Sequence, residues 1–172
     1  QVLDDPTITE PVFRDADIVG FDMKCLSWQA IADPLKGQPN GIDSRTICGL
    51  TRYTGISDRI SFMGIYEIPS TPMTHQLLAQ MIWYFIEGVH YRFGEYPVYT
   101  QDFSKYSVTL SNQIMVFYKS ESSQRWWMEL TKNSHLNNKS KSSTLLACTE
   151  KDYRDATQDI IPDRWYNAVK RL

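Results

Sequence analysis

Hydrophobic and polar positions follow two different patterns along the chain, which divide it near residue 95. In the first part, the apolar runs 18–24 and 62–69 are short and nearly continuous, as is typical of strands buried in a parallel sheet. Each run is followed by apolar positions at helical spacing. We therefore predict a β-α-β-α core over residues 1–95.

The two helices of this core have recognisable ends. Asp43 is expected to cap a helix that runs through about Tyr53, and Gly55 is expected to end it. Thr74 is expected to cap a longer helix, whose last turn is weakened by Gly88. A strand, a crossover helix and a second strand form a right-handed unit, and its ligand crevice lies outside the carboxyl ends of the strands.

Residues 96–172 change to the alternating pattern of short strands that are separated by polar turns. The predicted strands are 106–110, 114–119 and 126–130. Residues 111–113 are expected to close an antiparallel hairpin between the first two strands. The stretch 135–143 is rich in Ser, Asn and Lys, and we expect it to be a polar loop.

The end of the chain predicts two short helices. Thr149 and Asp152 have the spacing of a capping box, which would open a helix through about Gln158. Pro162 is expected to start a last helix that ends in basic residues at about Arg171, where they suit the helix dipole. The aromatic residues of the preceding strands are expected to lie in a core or in a subunit interface.

Composition limits the classes of function. The chain has 172 residues, of which 42% are hydrophobic and 22% charged, as in an ordinary globular domain. Its formal net charge of -2 argues against a general nucleic-acid binder, because neutralising phosphates needs a basic face. No apolar run approaches the roughly 20 residues of a membrane span. We expect a soluble protein with neither a nucleic acid nor a membrane as a partner.

The cysteines bear on location and reactivity. They are odd in number and match no zinc spacing, so we interpret them as reduced thiols of a cytoplasmic protein: Cys25, Cys48 and Cys148. Cys25 follows Lys24, whose charge would lower the pKa of the thiol and make it reactive. The alternative is a buried and inert thiol.

The candidate chemistry lies at the ends of the two predicted parallel strands. Asp22 and Glu67 are carboxylates near the carboxyl ends of their strands, and Lys24 follows Asp22 by two positions. Because these ends meet at one edge of a parallel sheet, we expect all three residues to share one crevice. Two alternatives remain open: the carboxylates can make structural hydrogen bonds, and Lys24 can extend into solvent.

Several segments, in their order and spacing, resemble the C-terminal half of the ureohydrolases, the family of arginase, agmatinase and formimidoylglutamase. The segments that carry this resemblance are 16–22, 39–41, 64–67 and 74–88. Three further segments are similar to the bacteroidete branch of the family: 116–121, 125–129 and 161–165. The resemblance spans nearly the whole chain, so residues 1–172 would be the C-terminal portion of a single ureohydrolase-like domain.

The resemblance implies a three-layer α/β/α fold with a mainly parallel sheet, here its C-terminal part with an antiparallel hairpin and short helices added. Typical members hold two Mn²⁺ ions, which bridge a hydroxide that attacks a guanidino or formimino carbon. The family's Gly-Gly-x-His and Asp-x-His-x-Asp segments are absent from this chain. In the family's later Asp-x-Asp segment, Asp22 matches the first ligand and Lys24 stands at the second. Glu67 matches the carboxylate that contacts the cationic group of the substrate.

Lysine at a ligand position changes the electrostatics of the site. It removes one negative charge and adds one positive charge, so binding of two dications should be strongly disfavoured. We therefore expect no cofactor in this chain. Our hypothesis is that Lys24 pairs with Asp22 and fills part of the electrostatic role of a lost ion.

Three hypotheses for function follow. The first is a hydrolase of linear amidine or guanidine C–N bonds, in which Asp22 helps to hold a metal and Glu67 binds the substrate. The second is a metal-free protein that binds a small cationic amidine or guanidino ligand at Glu67. The third is a structural or assembly protein. The polar connector composition of 4–11 suggests a part of a longer polypeptide, and half of a parallel sheet has an unpaired edge. We expect its partner to be the missing N-terminal half or another copy of the chain.

Overall fold

The structure is a computed structural model that describes residues 5–96, 98–110, 113–131 and 143–171. The fold is mixed α/β, with one parallel sheet of two strands and one antiparallel sheet of four strands. The chain divides into two compact units, 1–96 and 97–172, and each sheet belongs to one unit.

The first unit contains the predicted succession of strand, helix, strand and helix. Its elements are α1 (Glu10–Arg14), β1 (Ile18–Asp22), α2 (Trp28–Ile31), α3 (Ser44–Ile56), β2 (Phe62–Tyr66) and α4 (Pro72–His90). Strands β1 and β2 pair in parallel, in a register that places Asp22 opposite Tyr66. The parallel pairing is confirmed, and the short helices α1 and α2 were not predicted.

Local hydrogen bonds explain where the two long helices begin. Asp43 caps α3 as predicted, since its Oδ1 accepts the N–H of Thr46 at 2.7 Å. The cap of α4 is Thr71, whose Oγ1 accepts the N–H of Thr74 at 3.1 Å. The prediction of Thr74 as the cap is therefore wrong by three residues. Pro72 lies in the first turn of α4, where the missing N–H costs nothing.

Helices α3 and α4 cross at two glycines. A Cβ atom on Gly55 would lie 2.2 Å from the carbonyl oxygen of Phe85, and one on Gly88 would lie 2.4 Å from that of Arg52. Helix α3 continues through Gly55 to Ile56, so the prediction that Gly55 ends the helix is wrong. Both glycines are required by the close approach of two backbones.

The core of the first unit lies among β1, α2, α3 and α4. Its largest fully buried side chains are Met23, Leu26, Ile31, Ile47, Ile60 and Met81. The first residues of the two strands, Ile18 and Phe62, are exposed. Each strand of this sheet pairs with the other alone in the part of the chain that the structure describes.

The second unit is an antiparallel meander followed by two helices. Its elements are β3 (Phe103–Leu110), β4 (Gln113–Ser120), β5 (Trp126–Thr131), β6 (Ser143–Cys148), α5 (Glu150–Thr157) and α6 (Asp163–Val169). The predicted hairpin is confirmed, because Leu110 pairs with Gln113. Strand β6 was not predicted, since 143 was assigned to a polar loop. The rest of that predicted loop, 135–142, and residues 111–112 lie outside the described residues.

Helix α5 has the predicted capping box and closes the core of the second unit. The N–H of Thr149 donates to Oδ2 of Asp152 at 2.7 Å, and the N–H of Asp152 donates back to Oγ1 of Thr149 at 3.2 Å. Tyr153 of this helix stacks on Trp126 with 4.7 Å between ring centroids. Phe117 and Trp126 are both buried, so the aromatic side chains of the hairpin serve the core.

Candidate functional site

The candidate site is built by the backbone turns that follow β1 and β2. After β1, a short 3-10 turn (Met23–Cys25) begins, and Oδ1 of Asp22 caps it by accepting the N–H of Lys24 at 2.9 Å. After β2, the chain turns at Glu67, which has a φ of 54°. Because the two strands are parallel and in register, both turns lie at the same edge of the sheet.

Lys24 and Glu67 form an ion pair across this edge. Nζ of Lys24 lies 3.0 Å from Oε2 of Glu67, and the two side chains are 60% and 57% exposed. The hypothesis that the ammonium pairs with Asp22 is wrong, because Asp22 is engaged by the backbone of Lys24 instead. Exposed pairs of this kind contribute about 0–1 kcal/mol to stability, so a ligand can exchange with either partner at little cost.

The ion pair lies in the wall of a cavity of about 380 Å³. The lining residues are Met23, Lys24, Leu35, Lys36, Gln38, Glu67, Ile68 and Pro69. Two of the three predicted site residues, Lys24 and Glu67, thus share one crevice, whereas Asp22 is not in its lining. The cavity combines apolar walls with a few charged and polar groups, which is the usual composition of a site for a small molecule.

One wall of the cavity is the loop at Gln38, which the sequence interpretation recognised as a turn but did not assign to the site. The N–H of Gln38 donates to the carbonyl oxygen of Leu26 at 2.8 Å, and its own carbonyl oxygen accepts the N–H of Trp28 at 3.3 Å. A Cβ atom on Gly37 would lie 2.2 Å from Cα of Trp28, so glycine lets the loop approach α2. The glycine and the turn residues that follow it were the available sequence signal for an ordered loop beside the strand end.

The backbone at Glu67 is in the left-handed region, which residues other than glycine rarely occupy. Such a conformation costs a residue with a Cβ atom about 1–2 kcal/mol, and strained backbone of this kind recurs at active sites and ligand clamps. Four residues other than glycine have a positive φ among those described, namely Ala32, Glu67, Gln124 and Asp159. Glu67 is the one of these four that lines the cavity.

The described residues do not fit a dimanganese centre. They contain no group of three or more His, Cys, Asp and Glu side chains that could hold a metal ion. Mn²⁺ prefers about six hard ligands, and an ammonium in the cavity opposes a dication. His75 and His90 are exposed residues of α4, and His135 lies outside the described residues.

Cys25 is a poor nucleophile in this environment. Desolvation of the sulfur is the main reason that the pKa of the Cys25 thiol is raised, and the nearby carboxylate of Asp22 raises it further. The expectation of a lowered pKa is wrong, because the ammonium of Lys24 is directed to Glu67. The alternative of a buried thiol is also wrong, since Cys25 as a residue is exposed. Cys25, Cys48 and Cys148 form no disulfide.

Comparison with known proteins adds no assignment. No family model matches the sequence, and neither the curated proteins nor the solved structures contain a significant match. Within the described ranges, none of the helices combines the length and the apolar character needed to cross a membrane. Any function must therefore be argued from the cavity and its charged residues.

Proposed function

We propose that this chain is a ureohydrolase-like protein that binds a small amidine or guanidino ligand in the Lys24–Glu67 cavity and does not hydrolyse it. The observation that carries the proposal is the ion pair itself. In it, the carboxylate of Glu67 holds a primary ammonium at 3.0 Å in the wall of a ligand-sized cavity. A ligand cation would take the place of that ammonium.

The chemistry of the cavity favours a guanidinium or amidinium over other cations. These groups are planar and offer two parallel N–H donors to one carboxylate, whereas an ammonium acts as a point charge. Replacing Lys24 at Glu67 therefore gains a bidentate contact and gives up an exposed pair of small value. The apolar side chains of Met23, Ile68 and Pro69 can pack against the hydrocarbon part of the ligand.

The proposal excludes the family's hydrolysis because no metal-activated hydroxide is expected at this cavity. Asp22 is an isolated candidate ligand that caps a backbone turn, and Lys24 brings a positive charge. We further propose that β1 and β2 belong to a three-layer α/β/α fold completed by the missing N-terminal half or by another copy. The free cysteines favour a cytoplasmic location.

Ligand binding can be tested by calorimetry and by thermal unfolding of the full chain with arginine, agmatine and formimidoylglutamate. A ligand at about 100 times its dissociation constant should stabilise the native state by about 2.7 kcal/mol. Glu67→Gln should abolish this effect because it removes the charge that anchors the ligand.

The matched control is Glu150→Gln, which makes the same change in another exposed ion pair, 2.7 Å from Arg154 in the second unit. This variant should keep the stabilisation by the ligand. Stoichiometric bound manganese together with release of urea or formamide would contradict the proposal and restore the hydrolase hypothesis. Absence of binding by all three ligands would also contradict it.

A second candidate function, assembly, is favoured by the apolar surface of α4. Ile82, Trp83 and Ile86 of this helix are 43%, 67% and 57% exposed. They are neighbours at helical spacing, and contiguous apolar surface of this kind is common in protein interfaces. Trp83→Glu would separate the two functions, because it should weaken association and leave ligand binding at Glu67 intact.

A further inference from the structure

We infer that Lys24 is an exchangeable counterion that selects zwitterionic ligands over purely cationic ones. In this exchange, the cation of the ligand takes Glu67, and the released ammonium of Lys24 takes an anionic group of the same ligand. The inference rests on the proposed function, because it concerns the same cavity. It adds a chemical requirement that the proposed function does not contain, namely a negative charge on the ligand.

The geometry points to competition between the ligand and Lys24. Nζ of Lys24 and Oε2 of Glu67 are 3.0 Å apart, so a ligand cation that contacts this carboxylate competes with the ammonium for it. The backbone of Lys24 is fixed by the hydrogen bond from its N–H to Asp22, at 2.9 Å. The side chain is 60% exposed, so it can change rotamer while the backbone stays in place.

The charge of the cavity favours binding of a zwitterionic ligand over binding of a monocationic one. Its charged lining residues are two lysines and one glutamate, Lys24, Lys36 and Glu67, with a formal charge of +1. Lys36 has only a distant counterion, since its Nζ lies 3.9 Å from Oδ2 of Asp33. A monocationic ligand would raise the charge of the cavity to +2, whereas a zwitterion would leave it unchanged. Like charges in one cavity repel each other, so the monocation is disfavoured.

A zwitterion also restores the ion pairs that its binding breaks. Displacing Lys24 from Glu67 ends one ion pair, and the ligand then offers a cation to Glu67 and an anion to Lys24. A pure cation leaves the ammonium of Lys24 without its partner beside Lys36. The ion pair therefore favours ligands that carry a positive charge at one end and a negative charge at the other.

The test uses two ligands with the same guanidinium group and the same three-carbon chain. 4-Guanidinobutyrate carries a carboxylate and is zwitterionic, whereas N-propylguanidine lacks the carboxylate and is monocationic. Calorimetry on the full wild-type chain should give at least tenfold tighter binding of 4-guanidinobutyrate. Lys24→Met should bind N-propylguanidine more tightly than the wild type does, because the competing cation is gone. In the same variant, the preference for the zwitterion should fall below about threefold.

Lys36→Met is the matched control, since it removes the other lysine of the cavity but no partner of Glu67. It should retain most of the preference. Equal binding of the two ligands by the wild type, with loss of both in Glu67→Gln, would overturn this inference and leave the proposed function standing. A preference that survives Lys24→Met would also overturn it. Failure of both ligands to bind the wild type would overturn the inference and the proposed function together.

Discussion

Glu67 combines a strained backbone with an exposed side chain, and neither property serves stability. Its φ of 54° is a conformation that costs a residue with a Cβ atom about 1–2 kcal/mol. Its ion pair with Lys24 is more than half exposed on both sides, so it returns little of that cost. The proposed binding of a ligand cation by Glu67 would account for a backbone that is unfavourable in the free protein.

This reasoning predicts an unusual order of stabilities at position 67. Glu67→Gly should be more stable than Glu67→Ala by about 1 kcal/mol, since glycine tolerates the left-handed backbone and its entropic cost is smaller than the strain. Both variants lose the same ion pair, so their comparison isolates the backbone. Urea unfolding of both measures the difference in free energy. An alanine variant of equal or greater stability would show that the backbone at this position is not strained.

The sequence correctly predicted that Asp22 and Glu67 lie at the same edge of the parallel sheet. Asp22 and Glu67 follow short apolar runs, and parallel pairing alone brings the ends of such strands together. The prediction failed on the partner of Lys24, because the left-handed turn at Glu67 directs the carboxylate to the ammonium. No pattern of hydrophobic and polar residues encodes a positive φ at a glutamate.

At the scale of elements, the crossing of α3 and α4 is a close approach of two backbones. Gly55 and Gly88 lie where each helix approaches the backbone of the other. The pair Arg52–Glu87, 3.0 Å apart, spans the same crossing. The two glycines thus set the distance between the helices that support the sheet and the cavity.

Alanine substitutions within α3 should have opposite effects at two positions. Gly55→Ala should lower the free energy of unfolding by about 1–3 kcal/mol, because its Cβ would meet the carbonyl oxygen of Phe85 and the backbones must shift. Gly49→Ala is the control, since a Cβ there has no atom within 4 Å. It should raise stability by about 0.5–1 kcal/mol, and denaturant unfolding measures both. Equal effects of the two substitutions would contradict the role of the crossing.

Two helix caps were predicted correctly from short-range signals, whereas the errors at Gly55 and at β6 arise from contacts with distant segments. The caps Asp43 and Thr149 were identified because each binds an N–H three residues away. Gly55 was misread as a helix end because its requirement comes from α4, far along the chain. Strand β6 was missed because its pairing with β5 is what makes 143–148 a strand.

At the scale of the whole molecule, an ion pair at the start of the first sheet links stability to acid pH. Arg59 donates two hydrogen bonds to the carboxylate of Asp17, at 2.7 and 2.9 Å. These bonds, and secondarily the charge of Arg59, hold the pKa of the Asp17 carboxyl below its ordinary value of 3.8. A depressed pKa in the folded state stabilises the native protein above 3.8, and this contribution is lost as the pH falls through the folded value.

Asp17→Asn should therefore reduce the loss of unfolding free energy that the wild type shows as the pH falls into the acid range. Above the ordinary pKa of 3.8 the variant should be less stable than the wild type, and the two should converge as the pH falls through the lowered pKa of Asp17 in the folded state. Thermal unfolding across this range gives the two curves. High salt should reduce the difference, because the carboxylate of Asp17 is exposed. Parallel curves at all pH values would show that Asp17 is not linked to the acid transition.

The parallel pairing of β1 and β2 also determines the order in which the chain can fold during synthesis. The N–H and Oγ of Ser61 donate to the carbonyl oxygen of Asp17, 44 residues earlier, whereas Leu110 at the end of β3 pairs with Gln113 at the start of β4. At about 5–20 residues per second, β1 waits roughly 2–9 s for β2 to be synthesised. During that time β1 lacks its partner β2, and closing the loop between the two strands carries its full entropic cost. The antiparallel meander forms from neighbouring segments, so its strands pair almost as soon as they are made.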